Sequence, residues 1–369
     1  GPQQRLTLAT GPVPQHSLDT GWGRSSYSSW TQASHGSLSP ADRDAGRDTA
    51  DPEGMPEPAG EAIGPDPALA KAIGPGPVGA GPADPDSHTG SDWPERGPLA
   101  SFPRGAGAGD CLHRILERLD LNAERGGPLG PALVERELRR AGLDSDWATS
   151  LLEGLEQMRT TPLGGPLGEL RVADLAPSQR LHEMHFDLTL ASVRARAIAA
   201  AFRSTPGGFV HASYAAALAQ LPINHRGFLT GSIDMVFQAG SQRPGGDGRW
   251  WVADWKSNWL GSLDEDGRPL ACGPRHYNQP AMQALMEASH YPLQAHLYLV
   301  ALHRYLGWRL PGYTPERDLG GYAYIFLRGT PGGSGRGALP GAVPGMLVER
   351  PPIARILALD AALGGGDRP

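Results

Sequence analysis

The sequence predicts a mixed α/β domain, a central mixed sheet flanked by helices, preceded by a long Gly/Pro-rich linker. Three observations carry this. Residues 1–100 hold 15 Gly and 15 Pro with few large apolar residues, whereas long apolar-periodic segments appear only after residue 100. Two short runs rich in β-branched and aromatic residues, 229–238 and 249–257, flank a turn-rich stretch, which is the mark of a hairpin. Helix-like and strand-like patterns occur on both sides of that hairpin over roughly 270 residues, enough for one large domain.

In chain order, residues 32–98 sustain no period and read as a flexible linker. The expected division is therefore a low-complexity linker over 1–100 and a folded domain over 101–369. Inside the linker, the island 21–30 (GWGRSSYSSW) is too rich in aromatics for a spacer and is expected to dock on the later domain or on an upstream partner. Leu112, Ile115, Leu116 and Leu119 recur at helical spacing behind Asp110, a candidate N-cap. Further helices are expected at 131–141 and 144–158, then a strand at 181–190 and a helix at 191–203. After the hairpin come helices at 277–288 and 290–308, a strand at 321–328 and a last helix at 351–363. No internal repeat is present.

Charge divides with the composition. Residues 1–100 carry 6 Lys+Arg and 13 Asp+Glu, which leaves 27 and 26 for the rest, so the chain's net −6 belongs to its tail. A near-neutral domain has little general electrostatic grip on DNA, but local fields rather than the sum decide phosphate binding, so a nucleic-acid substrate is not excluded. Two cysteines, Cys111 and Cys272, are too few for a disulfide framework, a four-thiolate zinc site or an iron-sulfur cluster, and point to a reducing cytoplasm. No apolar run approaches the roughly 18 residues that span a bilayer. The start at Gly-Pro, with no signal-peptide pattern, reads as a piece of something longer. The chain has 31 Arg and only two Lys, Lys71 and Lys256. A lysine that survives such a bias is a candidate for work that Arg cannot do.

Lys256 sits in the hairpin. Strand alternation puts Ile233, Met235 and Phe237 on one face of the first run, opposite Ser232, Asp234 and Val236. On the second run Trp251, Ala253 and Trp255 oppose Val252, Asp254 and Lys256. A turn centred on Pro244 makes Asp234 and Asp254 cross-strand neighbours, with Lys256 two residues further along the same face. Two adjacent carboxylates repel unless a cation lies between them or one is protonated. Hard oxygen ligands of this kind select Mg²⁺ or Mn²⁺, and an ammonium beside the ion can stabilise charge on a phosphoryl transition state. This is the minimum equipment for metal-assisted phosphodiester hydrolysis; the plainer reading is a solvated sheet face on which Lys256 is a salt-bridge partner.

These residues carry a resemblance. Gly231-Ser232-Ile233-Asp234 followed by Asp254-Trp255-Lys256 resembles the paired signature of the PD-(D/E)xK nucleases, in the variant that reads GxxD and DxK. The segments 102–106 (FPRGA), 254–261 (DWKSNWLG), 301–306 (ALHRYL) and 326–329 (FLRG), together with Ser26-Tyr27-Ser28, are similar to the nuclease domain of the RecB family, from the bacterial RecBCD helicase-nuclease. The resemblance spans about residues 100–330 and implies a restriction-endonuclease-like fold. It also implies metal ligands at His113, Asp234, Asp254 and the Trp255 carbonyl, with Asp234, Asp254 and Lys256 as the catalytic set. Gln294 and Tyr298 match the family's Gln-x-x-x-Tyr helix facing the site, and Glu183 matches an acid in a supporting position.

The activity implied is that of a Mg²⁺-dependent deoxyribonuclease of the exodeoxyribonuclease V type, cutting mainly single-stranded DNA delivered by a helicase motor in recombinational repair. Neither Lys follows Gly, so the chain has no GxxxxGK[ST] phosphate loop and the motor is expected upstream in the same polypeptide. RecC-like and RecD-like subunits, and a RecA-type recombinase, are the implied partners. The rival is a catalytically silent nuclease-fold scaffold that docks such partners.

Overall fold

The computed structural model describes residues 22–31, 93–239, 248–333 and 342–364. The expected linker therefore lies largely outside the described residues, as does the tip of the hairpin. The chain enters through strand β1 (Gly23–Ser25) and a short helix α1 (Tyr27–Thr31). Three helices follow, α2 (Ala106–Arg118), α3 (Gly130–Arg140) and α4 (Ala148–Thr160). Helix α2 begins earlier than the apolar spacing suggested: Gly105 is its N-cap and Asp110 lies inside it.

Strand β2 (Arg180–Arg194) runs longer than its alternation and displaces the start of helix α5 to Ala195–Ser204. A short helix α6 (Tyr214–Leu218) then leads to β3 (Asn224–Ala239), which pairs with β4 (Arg249–Lys256). Beyond a small ribbon, β5 (Ser262–Leu263) with β6 (Pro269–Ala271), come helices α7 (Gln279–Ala288) and α8 (Tyr291–Arg309). A single turn α9 (Pro315–Asp318), strands β7 (Leu319–Phe326) and β8 (Met346–Glu349) and helix α10 (Ile353–Ala362) complete the described chain.

The main sheet has the order β1-β3-β4-β7-β8, with β2 paired to β3. The β1/β3 and β4/β7 pairs are parallel and the β2/β3, β3/β4 and β7/β8 pairs antiparallel, so the sheet is mixed. Alternation sorts its side chains into two cores. Met235, Phe237, Trp251, Ala253, Trp255, Ala323 and Ile325 pack with Leu112, Ile115 and Leu116 of the α2–α4 layer. Val236, Val252, Tyr322, Tyr324 and Phe326 pack on the other face with α5, α7, α8 and α10. This is the mixed, helix-flanked sheet of a restriction-endonuclease-like fold.

One residue departs from simple alternation. Ile233 was expected to share a face with Met235 and Phe237, yet it lies in the opposite core with Met184 and Leu229. The change of phase falls at Asp234. Its place on β2 belongs to Glu183, whose backbone adopts φ 52, a left-handed conformation that a non-glycine residue rarely holds. The β2/β3 ladder runs in one register through Met184↔Ile233 and His182↔Met235, on either side of that point.

The aromatic island docks on the later domain. Gly23–Ser25 pair in parallel with Gly227–Leu229, and Tyr27 and Trp30 are buried in the core beneath α8. Gly227 has to be glycine, because at φ 131 a Cβ would stand 2.1 Å from the Gly23 carbonyl oxygen. Packing also extends upstream of residue 101, since Leu99 is buried among α2–α4 and Gly97 N–H donates to the Cys272 carbonyl at 2.9 Å.

Candidate active site

The site forms where the β3/β4 ladder ends. The last pair is Met235↔Ala253, so the register places Asp234 opposite Asp254, with no bulge between the two strands. One step beyond, the ladder is completed by a side chain: Asp234 Oδ2 accepts the Trp255 backbone N–H at 2.9 Å. Its other oxygen, Oδ1, lies 3.2 Å from Nδ1 of His113, which α2 brings in from the opposite layer. The apolar stripe of α2 is buried against the sheet, and His113 is itself only 6% exposed.

Lys256 follows at the end of β4. Its Nζ stands 2.7 Å from Asp254 Oδ2 and donates to Gln294 Oε1 at 3.2 Å. Gln294 Nε2 donates in turn to the Tyr298 hydroxyl at 3.0 Å, so the i, i+4 pair of α8 faces the lysine. His113, Asp234, Asp254, Lys256, Gln294 and Tyr298 thus meet at one place, though they come from α2, β3, β4 and α8. Glu183 stands at the margin, where its Oε2 accepts the Ser232 hydroxyl at 2.8 Å.

All of these central side chains are buried, and burial acts on both carboxyls. Burial alone raises the Asp234 carboxyl, but His113, the Trp255 N–H and Lys256 outweigh it and hold the carboxyl below its usual range. At Asp254 burial dominates and pushes the carboxyl up to about 7; Lys256 opposes the rise and Asp234 adds to it. The two carboxyls are driven apart, as expected of neighbours that cannot both ionise without a cation.

Asp254 Oδ2 is inaccessible to water and faces the Lys256 ammonium at 2.7 Å. A desolvated carboxylate oxygen beside a second carboxylate is the kind of hard donor that suits a small hard cation. Among the described residues no three His, Cys, Asp or Glu side chains form a ready-made metal cage. Mg²⁺ usually takes one or two protein carboxylates and completes its shell with water and phosphate oxygens. For such an ion the resemblance implies His113, Asp234, Asp254 and the Trp255 carbonyl as donors, and His113 Nδ1 stands against Asp234 Oδ1.

Several groups at the site escaped the sequence reading. Tyr291 and Tyr324 line the lysine, and Arg328 ties the segment before α2 to the end of β4. Tyr291 had a local signal, three residues before Gln294 on the same helical face. Arg328 lies in the FLRG segment that resembles the family, but nothing local marked its role, because its partners are backbone carbonyls more than 70 residues away. His211, His276 and His303 lie outside this cluster, with partners at Glu287, Gly273 and Tyr313.

Comparison of the sequence with known proteins places the chain in a family. No protein-family model matches the chain. The RecBCD enzyme subunit RecB of Mycobacterium tuberculosis (strain ATCC 25618 / H37Rv) is 33% identical over 291 residues, covering 73% of this chain and 24% of that subunit. The subunits of the same name from Escherichia coli (strain K12) and Haemophilus influenzae are 36% identical over 230 residues and 32% identical over 263. They cover 62% and 71% of this chain, and 17% and 19% of their own lengths. The chain therefore spans about a quarter or less of the relatives it matches. At 33% identity over 73% of its length, the chain belongs to the RecB family as a RecB-like domain.

Proposed function

We propose that this domain is the Mg²⁺-dependent nuclease of a RecB-like helicase-nuclease subunit, hydrolysing phosphodiester bonds of mainly single-stranded DNA. One observation carries the reading: two buried carboxylates, Asp234 and Asp254, stand opposite each other at the end of the β3/β4 ladder, with the buried Lys256 ammonium 2.7 Å from Asp254. When bound, Mg²⁺, or Mn²⁺ in its place, supplies positive charge at the scissile phosphate. Asp234, fixed by the Trp255 N–H and His113, and Asp254 hold the charge that would attract that ion. Lys256 presents an ammonium to the non-bridging phosphate oxygens, where negative charge grows as the fifth oxygen approaches phosphorus. Gln294, itself held by Tyr298, keeps that ammonium in place. Glu183 serves as a support, through Ser232, for the strand that carries Asp234.

A near-neutral domain suits DNA fed to it by a motor, which we assign to the upstream part of the same polypeptide. RecC-like and RecD-like subunits, a RecA-type recombinase and a cytoplasmic setting in double-strand-break repair complete the proposal. Among the described residues no helix is long and apolar enough to cross a membrane.

The test is cleavage of end-labelled single-stranded and duplex DNA with Mg²⁺ and with EDTA. Mg²⁺-dependent cutting that favours the single strand supports the reading, and the product ladder separates exonuclease from endonuclease action. A folded chain that leaves single-stranded DNA intact in Mg²⁺ and Mn²⁺ makes it the silent scaffold instead.

A further inference from the structure

Lys256 is held by more than its polar partners. Its Nζ lies 4.0 Å from the centroid of the Tyr291 ring and 5.3 Å from that of Tyr324, both within the distance at which a ring face attracts a cation. The two rings are neighbours, with centroids 5.8 Å apart and planes inclined at 34°. We propose that Tyr291 and Tyr324 form an aromatic cradle that positions the Lys256 ammonium for phosphodiester chemistry, Tyr291 being its principal positioning residue. The proposal rests on the nuclease reading above and adds to it a role for two residues outside the acid, lysine and glutamine set.

The cradle is built rather than incidental. Tyr291 opens α8, and its hydroxyl donates to Asn258 Oδ1 at 3.2 Å, two residues beyond the lysine. Tyr324 lies across the β4/β7 pair from Asp254, and its hydroxyl donates to Gln294 Oε1 at 2.9 Å, the same oxygen that receives Lys256. Each ring is therefore anchored at its polar tip while its face is left to the ammonium. Lys256 is 2% exposed, so this attraction acts where water does not compete.

The chemistry explains why rings are used. A third carboxylate would hold the lysine as firmly, but it would add negative charge where a phosphodiester must approach. A ring face attracts a cation through its quadrupole and carries no net charge. A compact ammonium fits at 4.0 Å, and this gives a physical reason for the retention of Lys256 in a chain with 31 Arg and two Lys.

The test uses the full chain and two readouts. With only Lys71 and Lys256 present, ε-¹³C-lysine labelling gives two side-chain signals. One of them, Lys256, is expected to be shifted upfield by the ring currents and to return toward the free-lysine position in Tyr291→Leu. In cleavage assays Tyr291→Leu is expected to lower kcat by about tenfold to thirtyfold, the equivalent of a desolvated cation–π contact, with KM for the oligonucleotide changed less than about twofold. Tyr291→Phe, which keeps the ring, should stay within about threefold of wild type. Phenylalanines carrying one, two and three fluorines at position 291 keep the shape while draining the ring face. A stepwise fall of log kcat along that series is expected, which a purely structural role would not give.

A flat fluorine series, or wild-type kcat in a folded Tyr291→Leu chain, overturns the proposal. If the wild-type chain does not cleave DNA at all, the nuclease reading fails separately and the lysine spectrum decides the cradle. An unshifted Lys256 signal overturns it, and a shifted one that Tyr291→Leu restores supports it.

Discussion

Arg328 is the largest single test of how the site is held together. It is 2% exposed, and its guanidinium donates to four backbone carbonyls: Leu99 at 2.6 Å, Phe102 at 2.9 Å, Pro103 at 2.7 Å and Ser257 at 2.8 Å. The first three belong to the approach to α2, which carries His113, and the fourth follows Lys256 directly. Arg328→Ala removes all four bonds. The carbonyls of Pro103 and Ser257 can be rehydrated, while those of Leu99 and Phe102 stay enclosed, and each enclosed group costs about 1–3 kcal/mol. We expect a loss of about 4 kcal/mol, seen as a lower urea midpoint with unchanged m and a fall in Tm of about 10 °C. Arg328→Lys should recover little of this, because three ammonium donors on a flexible stem cannot span a planar fork of four carbonyls. A loss below about 1 kcal/mol for Arg328→Ala would show that the carbonyls find other partners and that the clamp does not set the geometry.

Three further outcomes follow from the site and its surroundings. Asp254→Ala should abolish Mg²⁺-dependent cleavage while the circular dichroism and urea midpoint show a folded chain, since the carboxyl it removes is a charge that burial opposes. Lys256→Arg should be nearly as inactive as Lys256→Ala, because a planar guanidinium does not fit the space between Asp254, Gln294 and the tyrosine rings; an Arg variant with most of the wild-type rate would refute this. His296 is buried beside Phe202 and Tyr322, and burial with Arg355 nearby lowers its pKa to about 3. Between that value and the unfolded one near 6.5 only the unfolded chain takes up this proton. Its share of stability is therefore complete above about pH 6.5 and falls by up to about 5 kcal/mol as the pH drops toward 3. The urea midpoint of His296→Gln should be correspondingly less acid-sensitive than wild type across that window.

What the sequence made legible was local. The alternation of RWWVADWK and LTGSIDMVFQ is enough to bring Asp234, Asp254 and Lys256 together, because a two-residue period and one turn fix the register. Gln294 and Tyr298 share a helical face at i, i+4, but only the family resemblance tied that face to the site. His113 was different: as a lone helical histidine it had no spacing of its own and was found through the family resemblance. The phase change at Ile233 was hidden because it coincides with an unusual backbone conformation at Glu183, on another strand. The face that α8 turns to the lysine was also obscure, since the helix is buried nearly all round over its first twelve residues and has little amphipathic contrast. Strand β8 is four residues long and follows a Gly-rich stretch, so nothing in its own pattern announced it.

The strap of β1 and α1 has a consequence for what counts as one folding unit. It supplies a strand to β3, buries Tyr27 and Trp30, and its Tyr27 hydroxyl donates at 2.5 Å to the Ser289 carbonyl, two residues before Tyr291 opens α8. A protease that cuts the backbone between residues 32 and 92 would break the chain without breaking this contact. The two pieces should elute together from a sizing column under native conditions and part only in denaturant. A recombinant fragment begun at residue 93 would lack the strap altogether, leaving the Gly227–Leu229 stretch of β3 as an open edge and an apolar socket where two aromatic rings had been. Such an edge accepts strands from other molecules, so the shortened fragment is expected to self-associate, and a synthetic peptide covering residues 20–32 should return it to a single copy.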